Sequence, residues 1–66
     1  MLAGNIKKLR IKKGLAQEKL ARLADISTAT LVKIESGAAK EPTITTVIKI
    51  ADALETSIDE LIGRKK

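Results

Sequence analysis

The chain has 66 residues, with no cysteine, no histidine and no Phe, Tyr or Trp, and carries 13 Lys/Arg against 8 Asp/Glu for a net charge of +5. One small domain, spanning residues 1–66, is the most that this length forms, and it buries only about 60% of its unfolded surface. The composition excludes a disulfide frame, thiolate or imidazole metal ligands and aromatic stacking platforms for single-stranded nucleic acid, so neither a cofactor nor a metal is expected.

Met1-Leu2-Ala3-Gly4 runs straight into amphipathic sequence, so no secretion signal is expected. No apolar run approaches the ~20 residues of a membrane span, so no membrane partner and a cytoplasmic location are expected. The first helix is expected over residues 5–13, capped by Asn5, with Ile6 and Leu9 inward and Gly14 ending it. Lys7, Lys8, Lys12 and Lys13 cover its outer surface, whereas Arg10 lies near the inner stripe. Leu15-Ala16 leads into a second helix from Gln17, with Leu20, Ala21 and Ala24 inward. Asp25-Ile26-Ser27 breaks that pattern, and Ser27 suits an N-cap.

A third helix places Leu31 and Ile34 inward and ends at Gly37, a left-handed C-cap. Its outward face is then Thr28, Ala29, Val32 and Lys33: small groups, one ammonium and no acid. Such a face enters a DNA major groove without steric or charge conflict. Thr43 is expected to cap a fourth helix reaching Leu54, with Ile44, Val47, Ile50, Ala51 and Leu54 as its core stripe, widened by Ile48. TITTVIKI has the β-branched density of a strand, but Ala51 and Leu54 continue the helical spacing. Ser57-Ile58-Asp59-Glu60 is a capping box opening a short fifth helix, with Ile58 and Leu61 expected to pack on the fourth.

Charge divides along the chain. Residues 1–40 hold nine Lys/Arg against three acids, or +6, and residues 41–62 hold Lys49 against five acids, or −4. The tail 63–66 adds three cations. The basic charge therefore travels with the first three helices, where it attracts polyanions.

The segments IKKLR (6–10), GLAQEKLA (14–21), DIS (25–27), LVKIESG (31–37), PTITTVIKIADAL (42–54) and SIDELI (57–62) follow one another at the spacing of a known family. In them the chain resembles the phage-repressor or Cro-type helix-turn-helix proteins, also called the XRE type. The resemblance implies an all-α, compact five-helix, lambda-repressor-like domain whose helix-turn-helix core lies at 17–36. It implies base contacts from Gln17, Thr28, Ala29 and Lys33; Val32 stands where the family is usually polar, and either packs on thymine methyls or is one exposed apolar residue. Gln17 opens the second helix, where its amide can meet adenine or donate to phosphate.

Phosphate contacts are implied at Ala16, Thr30, Ser36, Gly37 and Lys40. The family usually has Ser or Thr where this chain has Ala16; a phosphate replacing that missing cap is expected to occupy the free N–H groups of the second helix. The resemblance also pairs Arg10 with Glu35, as a structural ion pair, and places a two-fold dimer contact at Ile58, Leu61 and Ile62. Asp25 and Glu55 stand where the family prefers glycine.

The leading expectation is a sequence-specific regulator of double-stranded DNA, a repressor binding an inverted repeat as a homodimer. The alternative is an antitoxin, whose partner would be a toxin chain, or a protein-interaction module on the same fold. An enzyme is not expected, because no spacing assembles nucleophile, base and oxyanion site.

Overall fold

The computed structural model describes residues 2–39 and 42–63. Five helices follow in order: α1 Leu2–Lys12, α2 Gln17–Leu23, α3 Thr28–Ser36, α4 Ile44–Leu54 and α5 Ile58–Leu61. No strand occurs among the described residues. The TITTVIKI stretch is helical from Ile44, because at helical spacing Val47 and Ile50 face the core with Ala51 and Leu54, and Thr43 accepts from the Thr46 amide at its start.

The core is one cluster in which Ile6, Leu20, Leu31, Ile34, Ile50, Leu54 and Leu61 are fully buried. Each of the five helices contributes at least one of these side chains. α3 packs on both α1 and α2, while α4 packs on α2, α5 and α1. Buried Ala21, Ala24 and Ala51 keep the contacting backbones close. Among the described residues no polar or charged residue belongs to the buried cluster, so the core itself is packed from apolar side chains.

Three expectations are corrected here. The first helix starts at Leu2 rather than Asn5, because partly buried Leu2 extends the Ile6/Leu9 stripe by a turn. Asn5 is inside that helix and its amide donates to the Leu61 carbonyl at 2.9 Å, closing the far end of α5 instead of the near end of α1. In α4 the stripe is Val47, Ile50, Ala51 and Leu54 only. Ile44 is 63% exposed, since among the described residues no element covers the first turn of α4, and Ile48 is 41% exposed on its flank.

The exits of α1, α2 and α4 share one device. Gly14, Asp25 and Glu55 adopt φ of 72°, 57° and 55°. The residue after each donates back to the start of the last turn: Leu15 to Arg10, Ile26 to Ala21 and Thr56 to Ala51. This paired closure satisfies carbonyls that a helix end would leave free. Asp25 and Glu55 accept a left-handed conformation that glycine enters without strain.

Candidate nucleic-acid interface

α2 and α3 meet through the turn Ala24-Asp25-Ile26-Ser27. Ile26 is half-buried against the core and anchors the turn. Ser27 then caps α3, its hydroxyl accepting from the Thr30 amide at 3.0 Å and donating to Thr30 Oγ1 at 2.8 Å. That arrangement leaves the Thr30 hydroxyl proton to point elsewhere, and Thr30 is exposed. Asp25 lies 3.9 Å from Lys49 Nζ, so its charge at the entry to α3 has a neighbouring cation, on a fully solvated side chain.

With Leu31 and Ile34 buried, Thr28, Ala29, Val32 and Lys33 are all on the exposed side of α3. Among the described residues Lys33 has no acidic partner, so its ammonium is available to an outside acceptor. Val32, 40% exposed, gives the face a methyl edge. The structure thus brings the base-contact candidates of α3 onto one surface.

Behind this surface Arg10 of α1 grips Glu35 of α3. Arg10 Nε donates to Oε2 at 2.8 Å, Nη2 donates to Oε1 at 3.1 Å, and Nη1 donates to the Leu15 carbonyl at 2.7 Å. The side chains are 12% and 3% exposed. A two-pronged guanidinium–carboxylate pair of this kind is geometrically specific. Gln17 joins it, its Nε2 donating to Glu35 Oε1 at 3.2 Å. Sequence reasoning set Arg10 beside Glu35 but missed Gln17; no spacing rule links the first residue of α2 to the penultimate residue of α3.

Ala16 is the N-cap of α2 in extended conformation and supplies no side-chain bond, so the first turn keeps its donors for another acceptor. The loop after α3 departs from expectation. The Gly37 N–H donates to Ile34 O, Ala38 N–H to Ser36 Oγ and Ala39 N–H to Lys33 O. The Ser36 hydroxyl proton goes to the Lys33 carbonyl at 3.0 Å. The donors of Ser36 and Gly37 assigned to phosphate are therefore spent on closing α3, because a left-handed Gly37 folds the chain back over its own last carbonyls. Lys40 and the tail cations 64–66 lie outside the described residues.

At the opposite end, Leu61 is fully buried and Ile58 is half-buried on the core, so Leu61 has no surface left for a partner. Ile62 is 41% exposed, and Ile58 keeps part of its surface open beside it. The box before them is formed: Ser57 Oγ accepts from the Glu60 amide and Glu60 Oε1 from the Ser57 amide. The Thr56 hydroxyl donates to the same oxygen at 2.8 Å. These bonds, Thr56 foremost, hold the Glu60 carboxyl below its usual pKa.

A profile of the helix-turn-helix family, HTH_3, matches residues 6–61. The chain belongs to that family. Its members are DNA-binding transcriptional regulators, which are not an enzyme class. The chain is 45% identical, over 65 residues, to the cryptic phage CTXphi transcriptional repressor RstR of Vibrio cholerae, covering 85% of this chain and 57% of that protein. It is also similar to an HTH_3 family transcriptional regulator of known crystal structure from Vibrio cholerae, at 39% identity and a TM-score of 0.86. That match covers 94% of this chain and 34% of the other. The chain therefore spans little more than half the length of the curated relative. The five-helix, all-α fold matches that neighbour over the part it shares with this chain. No helix among the described residues is long and apolar enough to cross a membrane.

Proposed function

We propose that this chain is a transcriptional repressor that reads an inverted repeat in double-stranded DNA, placing α3 in the major groove. The observation that carries this reading is the acid-free exposed face Thr28, Ala29, Val32 and Lys33, held rigid by a helix-turn-helix in a family of DNA-binding regulators. Lys33 reaches guanine O6 and N7, Thr28 donates or accepts, and Ala29 and Val32 meet thymine methyls. The free Thr30 hydroxyl and the uncapped first turn of α2 at Ala16 serve phosphates, together with Lys40 and the basic surface of α1. Two copies joined near Ile62 would set their α3 helices about 34 Å apart, one helical turn of DNA. The repressor name of the relative supports this over an antitoxin, and a cytoplasmic setting follows from the role.

Selection from a random duplex library with the purified chain at near-physiological salt tests the reading. Enrichment of an inverted repeat supports a dimeric base reader. Retention of DNA without sequence enrichment, lost steeply with salt, would reduce the interaction to phosphate attraction and overturn it.

A further inference from the structure

The outer surface of α1 is made of Gly4, Lys7, Lys8, Ile11 and Lys12, all exposed, and the helix contains no acid. Ile11 is 58% exposed in the middle of those lysines. Among the described residues Lys7, Lys8 and Lys12 make no ion pair. The space over Gly4 is open, so a side chain from outside can lie against the backbone there. An apolar centre inside a basic rim is half of an interface. Burying Ile11 takes an apolar group, and burying it among lysines takes one with acids beside it.

The complement occurs in the same chain. Ile44, Ile48 and Asp52 stand four residues apart on the exposed side of α4 and so form one row, with exposed Glu55 following at its end. Asp52 makes no ion pair among the described residues, and the one cation of α4, Lys49, lies 3.9 Å from Asp25 of its own chain. We propose that the basic outer face of α1 in one molecule receives the α4 row of a second copy, the two helices running parallel. The spacings match: Gly4, Lys8 and Lys12 are four apart, as are Ile44, Ile48 and Asp52. In parallel register Ile44 lies over open Gly4, Ile48 meets Ile11 and the Lys8 stem, and Asp52 pairs with Lys12. The antiparallel direction would set Asp52 over Gly4 and Ile44 against Lys12, and would lose the ion pair. The two molecules use different surfaces, so each joined pair keeps one free face of each kind and can add further copies. This contact is distinct from the two-fold one proposed near Ile62, and does not depend on the DNA-reading function. On DNA it would let copies on neighbouring stretches assist one another's binding. A single helix pair buries less than the ~1,200 Å² of a stable interface, so the dissociation constant is on the order of 100 µM.

Sedimentation equilibrium of the purified chain without DNA tests it. The mass of the wild type should grow past that of a dimer as concentration rises, and the association should weaken about tenfold or more between low and high salt. Unselective self-association would respond the other way, because salt screens the mutual repulsion of copies that each carry +5. Lys12→Glu and Asp52→Lys each set like charges together, and each should stop growth past the dimer. Mixed in equal amounts, the two variants should grow again, because the unaltered α1 of one meets the unaltered α4 of the other. A two-fold contact between like surfaces gives no such recovery. Ile11→Ser removes the apolar centre and leaves both charges, and should weaken the association about tenfold. All three positions are exposed, so thermal unfolding should stay close to the wild type. If a charge variant fails to fold, Ile11→Ser and Ile48→Ser carry the test. The proposal is overturned by a wild type that stays monomeric or dimeric, by growth that increases with salt, by growth that survives the substitutions, or by a mixture that does not recover.

Discussion

Arg10 and Glu35 sit where solvent screens them poorly, at 12% and 3% exposure. A paired charge in such a place contributes less than the loss of one partner costs, because the survivor keeps its desolvation without its counter-charge. Arg10→Met should therefore lower stability by about 3 kcal/mol, a large share for so small a domain. The double change Arg10→Met, Glu35→Leu should recover most of that loss. Urea unfolding of the wild type, the two single variants and the double variant measures it; equal loss in the single and double variants would mean that packing, not charge, is what Arg10 supplies. Ala16 is a simpler case. Its backbone already has the extended conformation of an N-cap, so Ala16→Ser needs no rearrangement and should stabilise the chain by about 1 kcal/mol. The new hydroxyl would occupy an amide at the start of α2 that the proposed interface gives to a phosphate. DNA affinity should then fall while thermal stability rises. Affinity that holds or improves would remove Ala16 from the phosphate contacts.

Between elements, the joints decide more than the helices do. Glu55 ends α4 at φ 55° and Asp25 ends α2 at φ 57°. A left-handed residue other than Gly costs about 1–2 kcal/mol, less for Asp, whose short polar chain tolerates it. Glu55→Gly removes that strain at some cost in unfolded-chain entropy, so thermal unfolding should show a net gain below about 1 kcal/mol. Asp25→Gly should gain less. The opening of α5 is tied to pH through Glu60, whose folded pKa is lowered by the bonds from Thr56 and Ser57. A lowered carboxyl contributes stability that is fully present above its unfolded value of about 4.5 and is lost as pH falls through the folded one. The urea midpoint of the wild type should drop more steeply below about pH 4.5 than that of Glu60→Gln, and parallel curves would show the box to be idle.

These joints also divide what the sequence makes legible from what it does not. Ser27, Thr43 and Ser57 announce their helix starts, since a hydroxyl before an amphipathic run has one local use. Asn5 misleads because its amide also carries donors, and instead of accepting at a helix start it donates from Nδ2 to the Leu61 carbonyl, 56 residues away. Ile44 misleads because periodicity reports which face a residue is on, not whether another element extends far enough to cover it. On the candidate site, the exposed face of α3 follows from the positions of Leu31 and Ile34. The loop donors of residues 36–39 do not, since only the folded backbone shows that they turn inward.

For the whole molecule, the open issue is how two copies would meet. Residues 41–62 carry a net charge of −4 in sequence, which keeps that end of the chain from competing for phosphate. Leu61 is occupied in the chain's own core, and the apolar group left exposed beside it is Ile62. A two-fold contact there would bring each Ile62 close to the same surface on its partner. Ile62→Asp would then set like charges together across the axis, next to the acidic Asp59 and Glu60 of both copies. Since Ile62 contributes little to its own core, the variant should unfold at nearly the wild-type temperature. Its binding to a duplex carrying a single half-site should be unchanged, because α3 is untouched. Binding to the full inverted repeat should fall to what two independent half-sites give. Titration of the two duplexes separates these effects: a repeat-to-half-site ratio that survives Ile62→Asp would move the dimer contact away from α5, and a ratio near one in the wild type would make the chain a monomeric reader.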